Sequence, residues 1–157
     1  MIGLSFFAAL LFVVMLCVVI YKNDEPDMVS SIYYLLGKRG WVFQLVMMLF
    51  GILMMVCLLD SGLGEQCLAF FACVGLIFVG AAPRFLKESE RKIHKTAAIT
   101  SALASAAWCL TVNWRIVVAL LGLYGVYWAY RDRDSHPWFV AEVTAILMVL
   151  LTYWSTV

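Results

Sequence analysis

The chain has 157 residues, of which 65% are hydrophobic and only 13% are charged, and its net charge is +1. Soluble globular proteins are close to half apolar and a quarter charged, so a water-soluble globule of this size could not bury so much apolar surface. The nearly neutral charge excludes the broad basic surface of a nucleic-acid-binding protein. The composition therefore predicts a polytopic integral membrane protein, organised as a single all-α transmembrane domain.

Apolar stretches long enough to cross a bilayer recur along the sequence, since a span requires about 20 residues, with a range of roughly 17–25. The first stretch lacks the basic start and cleavage site of a signal peptide, so it is predicted to be a span. Residues 96–130 would be about 52 Å long as one helix, so Asn113-Trp114-Arg115 is predicted to be a tight turn between two short spans. The six predicted spans are residues 3–21, 41–59, 67–82, 96–112, 116–130 and 138–154.

The distribution of basic residues predicts the orientation of these spans. With six spans, ten of the eleven Lys and Arg residues fall in the first, third and fifth loops, and only Arg115 falls on the other side. Because cytoplasmic loops carry an excess of Lys and Arg, these three loops are predicted to be cytoplasmic and both termini non-cytoplasmic. A five-span chain would place Arg131 and Arg133 on the outer side, so the charges favour six.

The first loop is the longest and is predicted to contain a short interfacial helix. Asp24-Glu25-Pro26 precede residues 28–36, and Gly37 follows them. Acidic residues and proline before a helix, and glycine after it, are typical of a capped helix. We expect about two and a half turns that lie along the cytoplasmic interface.

Glu142 is the only acidic residue inside a predicted span, about 6 Å below the cytoplasmic interface. A carboxylate at this depth is costly and normally faces the bundle interior or a wet cavity. Glu142 is therefore either a binding residue for a proton, a cation or a headgroup, or a structural residue that reaches the interface or pairs with Arg84 or Lys95.

His94 opens the fourth span, where an imidazole can act as a base or ligand or can simply solvate a helix end. We expect it to share a cytoplasmic-side pocket with Glu142, between the fourth and sixth spans. The predicted ligand-binding or polar pocket consists of Glu142, His94, Gln44, Arg84 and Tyr34. The cysteines and histidines lack the spacing of a metal site, so we expect no metal, no cofactor and no recognisable catalytic residue.

Small residues recur at helical spacing in the fourth span, and two glycines lie three residues apart in the fifth. Such residues let membrane helices approach closely, and hydroxyl groups can form hydrogen bonds between helices. The alternative is that the face of the fourth span lines a pore. The predicted helix-packing residues are Ala98, Ser101, Ala102, Ser105, Gly122 and Gly125.

Two short segments carry a resemblance to a known family. One is Ser30-Ser31-Ile32-Tyr33-Tyr34; the other is Gly80-Ala81-Ala82-Pro83, followed after ten residues by His94 and then Ala97-Ala98. A turn of small residues and proline before a histidine that opens the next span resembles the six-helix membrane proteins of the DRAM/Sfk type and their bacterial relatives of unknown function. The resemblance covers most of the chain in span count and implies no catalytic residues. It also implies a first loop outside the cell, opposite to the orientation that the charges predict.

Three classes of function are compatible with these features. The first is a small membrane protein that acts by binding lipid or a partner, by oligomerising, or by sensing the bilayer. The second is a small transporter or channel that uses the polar pocket, and the third is a membrane-embedded lipid-modifying enzyme. The expected partners are bilayer lipid, a lipid ligand and further copies of the chain, and nucleic acid is not expected.

Overall fold

The computed structural model describes residues 1–23, 25–81, 88–131 and 136–157. The prediction of an all-α fold is confirmed for these residues. The helices are α1 (Ile2–Asn23), α2 (Ile32–Leu35), α3 (Gly40–Ser61), α4 (Gln66–Ala81), α5 (Glu88–Tyr130) and α6 (Pro137–Trp154). Among the described residues, α1, the segment Gly37–Ser61, α5 and α6 are long and apolar enough to cross a membrane, and α4 is a shorter apolar helix.

Helices α3, α4 and the first half of α5 pack side by side in alternating directions. Gly51 of α3 lies against Cys73 of α4, and Gly80 lies against Met47, so these two helices are antiparallel. At the far end of α4, the indole Nε1 of Trp108 donates a hydrogen bond to the carbonyl oxygen of Leu63 at 3.0 Å. The first half of α5 therefore runs back along α4.

The long helix α5 breaks at Asn113, whose φ of −152° and ψ of 81° are not helical. The Asn113 side-chain amide donates to Ser155 Oγ at 3.1 Å, just beyond the last turn of α6. Eleven residues later, the Tyr124 hydroxyl donates to the carbonyl oxygen of Pro137, the first residue of α6, at 3.1 Å. The second half of α5 thus runs antiparallel to α6. The predicted break in this apolar stretch is confirmed, but only Asn113 departs from helical geometry, whereas a turn of three residues was predicted.

Helix α5 also begins earlier than the predicted fourth span, which started at residue 96. The helix continues from Glu88 through a charged segment, where Lys92 and Glu88 form an exposed ion pair of 2.8 Å at i,i+4 spacing. Hydropathy detects only the apolar part of a helix, whereas pairs at this spacing support helix in water. The predicted end of the third span, residue 82, lies outside the described residues.

The first loop is helical, but its helical part is shorter than expected and is broken into pieces. A single 3-10 turn, Val29–Ser31, leads into α2, and a second, Gly37–Arg39, leads into α3. Val29 and Ile32 are buried, so this segment packs onto the end of the bundle, and its position along a membrane interface stays a prediction. Gly37 ends α2 with a φ of +52°, which glycine adopts without the steric cost that a side chain would add.

Helices α4 and α5 approach each other closely at Gly75 of α4. A Cβ at this position would come within 2.8 Å of the carbonyl oxygen of Ala97 and of Ser101 Cβ on α5. The Ser101 hydroxyl donates to the carbonyl oxygen of Ala72 at 2.7 Å, which adds a hydrogen bond between the same two helices. Ser101 therefore lies in a tight helix–helix contact whose other partner, Gly75, was not among the predicted packing residues.

The two predicted packing glycines of α5, Gly122 and Gly125, have a different environment. Both are exposed, and a Cβ at either position would meet nothing within 4 Å. Within the described part of a single chain, no neighbouring helix approaches closely on the side of either glycine where a side chain would lie. The packing role expected for them would require another chain.

The contrast between these glycines gives a test of the fold. Gly75→Ala should reduce the free energy of unfolding by about 1–3 kcal/mol, because the added methyl group would press on the backbone of α5. Gly122→Ala is the matched control and should be neutral or stabilising by up to about 1 kcal/mol, since alanine is the better helix former. Thermal unfolding of both variants in detergent measures the difference, and equal stabilities would contradict the close contact at Gly75.

Candidate functional site: an internal cavity with Glu142 and His94

A cavity of about 110 Å³ lies inside the bundle, between α3, α4, the first half of α5 and α6. Its walls include residues from Met47 to Leu58 on α3 and from His94 to Ser105 on α5. Each of these stretches covers twelve residues, and the eleven steps between its ends span about 16 Å of helix axis. The cavity is therefore long and narrow, and it runs parallel to the helices.

The polar end of this cavity is formed by Glu142, His94 and Ser30. Glu142 lies in the second turn of α6, where the helix carries it beside the first loop. Its Oε2 accepts a hydrogen bond of 2.5 Å from the backbone amide of Val29. That amide belongs to the first residue of a 3-10 turn and has no partner within the turn, so the carboxylate serves as its cap.

A second contact ties the first loop to the beginning of α6. His136 Nδ1 lies 2.8 Å from Asp27 Oδ1, and these residues precede Glu142 and Val29, respectively, in the sequence. The pair is an ion pair when the imidazole is protonated. Both contacts hold residues 27–30 against α6, and this segment closes the polar end of the cavity.

The rest of the cavity is mainly apolar. Beyond the polar end, its walls come from Phe50, Met54 and Leu76 on α3 and α4 and from Ile146 and Val149 on α6. The hydroxyl of Ser101 also lines this region, but it is already bonded to the backbone of α4.

Ala102 lines the cavity and is nevertheless exposed on the outer surface. The cavity is therefore open at the side of the bundle, beside Ala102 of α5. Ala98 and Ser105, which are half-buried, lie on the same wall. Ala98, Ala102 and Ser105 have small side chains and line this wall, and the packing role expected of them stays a prediction.

The structure brings only two of the five predicted pocket residues together. Glu142 and His94 line one cavity between the fourth and sixth predicted spans. Gln44 is half-buried on α3 and Tyr34 is exposed on α2, and neither lines the cavity. Arg84 lies outside the described residues. The binding role of Glu142 and His94 stays a prediction.

Several residues that shape the site were not predicted from the sequence. The amide of Val29 is a backbone group, which no sequence pattern reveals, and Asp27 carried no signal beyond its position in a charged loop. Cys73 lines the cavity with a free thiol. Among the described residues, no group of three or more His, Cys, Asp or Glu side chains is arranged to hold a metal ion.

Comparison of the chain with known protein families, with curated proteins and with solved structures finds no match. The resemblance to the DRAM/Sfk type therefore stays an expectation. What the molecule does must be argued from the cavity and the surface alone.

The capping role of Glu142 predicts different outcomes for two substitutions. Glu142→Leu would leave the buried Val29 amide without an acceptor, which should lower the free energy of unfolding by about 1–3 kcal/mol. Glu142→Gln retains an oxygen at the same position and should spare the fold. Hydrogen–deuterium exchange of residues 25–36 should accelerate in the leucine variant alone, and equal exchange in both variants would contradict the cap.

Proposed function

We propose that this chain is an integral membrane protein with six spans that binds one single-chain amphipathic lipid in its internal cavity. The apolar chain of the lipid would lie in the narrow part of the cavity and its polar head at Glu142 and His94. The observation that carries the proposal is the combination of a long apolar cavity, one polar end and a sideways opening.

The surface of the bundle supports membrane insertion. Large apolar side chains are exposed along most of the helices, and Leu103 and Leu123 are 67% and 66% exposed. Contiguous apolar surface of this extent marks a membrane or protein contact. The second half of α5 packs on α6 through one stripe and leaves Val118, Leu121 and Val126 on its outer side. Lipid tails provide a suitable environment for these side chains.

The six-span arrangement is supported by the contacts at the two ends of the bundle. The Trp154 indole donates to Ser5 Oγ at 2.9 Å, so the two termini lie at the same end. The break at Asn113 returns the chain to the opposite end, where the first loop meets α6. An even number of spans places both termini on one side, in agreement with the charge distribution.

Cysteine labelling tests the orientation. In a background with the exposed Cys17 and Cys67 replaced by serine, Thr156→Cys should react with a membrane-impermeant maleimide in sealed cells. Lys38→Cys should react only after permeabilisation, because the basic loops are proposed to be cytoplasmic. The reverse pattern would overturn this orientation and would agree with the first loop being outside.

The polar end of the cavity selects among amphipathic lipids. A carboxylate accepts hydrogen bonds, and Glu142 has lone pairs beyond the one that the Val29 amide uses. A hydroxyl or amine head donates to it, whereas an acid head would place like charges together. We therefore propose a long-chain alcohol or amine as the ligand class, with a tail about as long as the cavity, which spans about 16 Å.

Ligand binding can be measured with dodecanol and dodecylamine on the purified protein in nanodiscs. At about ten times its Kd, a ligand that binds only the folded state should stabilise it by about 1.4 kcal/mol. The ligand should also protect Cys73, which lines the cavity, from alkylation by N-ethylmaleimide. Cys109 is buried but does not line the cavity, so its reactivity serves as the internal control.

Three variants make this measurement specific. Ala145→Phe places a large side chain in the cavity wall and should abolish both stabilisation and protection, whereas Ala119→Phe, on the exposed side of α5, should change neither. Glu142→Gln should weaken binding of the amine most. Equal binding to all three variants, or equal binding of dodecanoate, would contradict the proposal.

A transporter is the second candidate, favoured by one observation. Glu142 and His94 line the same elongated cavity, and a carboxylate within a bundle is a common feature of proton and cation pathways. Flux of protons or sodium ions into proteoliposomes, lost in Glu142→Gln, would support transport. Ligand binding without flux would support the lipid-binding function instead.

A further inference from the structure

A second cavity lies on the outer face of the bundle, in the groove between α4 and the first half of α5. Its volume is about 390 Å³, and its apolar walls include Phe71 and Phe78 of α4 and Ile93 of α5. Each of these three side chains is about half-exposed. The groove is separate from the internal cavity, because the Gly75–Ser101 contact closes the space between them.

The groove has one basic end. Lys92 lines it beside Thr96, and the walls beyond these residues are largely apolar. Residue 92 lies four residues before the predicted span 96–112, so its Cα is about 6 Å outside the apolar segment. That is the depth of the polar headgroups in a bilayer. Arg91 and Lys95 on the same helix turn add positive charge at this level.

We propose that this groove binds an anionic phospholipid, with one acyl chain along the wall of phenylalanines and the phosphate on the Lys92 ammonium. Charge complementarity selects the lipid class, since basic pockets between membrane helices bind anionic headgroups. Thr96 supplies a hydroxyl donor next to the phosphate position. The inference rests on the proposed membrane insertion, but not on the ligand of the internal cavity.

The existing partner of Lys92 does not block this role. Lys92 Nζ is 2.8 Å from Glu88 Oε1, and both side chains are largely exposed. Exposed pairs at i,i+4 spacing stabilise a helix little, so a phosphate can compete for the ammonium. The negative charge of the Glu88 carboxylate would repel the phosphate. Loss of Lys92 should therefore weaken lipid binding, and loss of Glu88 should strengthen it.

The test compares phosphatidylglycerol with phosphatidylcholine of identical acyl chains, binding to the detergent-purified full chain, by native mass spectrometry. Phosphatidylglycerol should bind more tightly. Lys92→Gln should weaken it by about fivefold, the effect of one basic residue at a lipid headgroup, and Glu88→Gln should strengthen it. Lys38→Gln, an exposed lysine on the same side of the bundle but outside the groove, should leave binding unchanged.

A further variant tests the acyl-chain contact. Thr100→Phe fills the apolar part of the groove from an exposed position and should weaken both lipids. Inorganic phosphate at the same concentration should not displace phosphatidylglycerol, because the proposed site holds the chain as well as the phosphate. Equal affinity for the two lipids, or equal effects of Lys92→Gln and Lys38→Gln, would overturn the proposal. Release of the chain from membranes by alkaline carbonate would refute membrane insertion itself, which is a separate result.

Discussion

The close approach of α4 and α5 at Gly75 determines where space remains in the bundle. At this point the two helices touch through backbone and small side chains, and the Ser101 hydroxyl adds a hydrogen bond to the backbone of α4. On one side of the contact lies the internal cavity, which Ser101 lines, and on the other lies the outer groove, which Gly75 and Ala97 line. A larger residue at position 75 would separate the helices and change the shape of both spaces.

The hydrogen bond between Val29 and Glu142 explains why an acidic residue persists in an apolar helix without an ion-pair partner among the described residues. A buried amide without an acceptor is costly, and a carboxylate is a strong acceptor for it. The same bond draws the first loop across the end of the bundle, so the residue that caps the loop also forms the polar end of the cavity. The structural role of Glu142 is therefore compatible with the binding role proposed for it.

Hydropathy was sufficient to predict the helical fold and the break near Asn113, because an apolar segment in a bilayer must satisfy its backbone groups within a helix. Hydropathy could not reveal how each helix is rotated about its axis. The rotation of each helix determines which of its residues face a neighbour, so Gly75 faces another helix and Gly122 does not. The same rotation places Ala102 in the cavity wall and turns Gln44 away from the cavity. Glu142 and His94 could be placed near each other because charge and depth alone restrict them to one end of adjacent helices.

The two spaces differ in the charge at their polar ends, although both ends lie on the same side of the bundle. The internal cavity ends at a carboxylate, which accepts hydrogen bonds, whereas the outer groove ends at an ammonium, which donates them. An ammonium head that donates to Glu142 would be repelled by the Lys92 ammonium, and a phosphate that satisfies Lys92 would be repelled by Glu142. The proposed occupants therefore belong to different lipid classes. Different faces of α5 border the two spaces, since Ala98 and Ser101 line the internal cavity whereas Thr96 and Ala97 line the outer groove. A change in the packing of α4 against α5 would therefore alter both spaces at once.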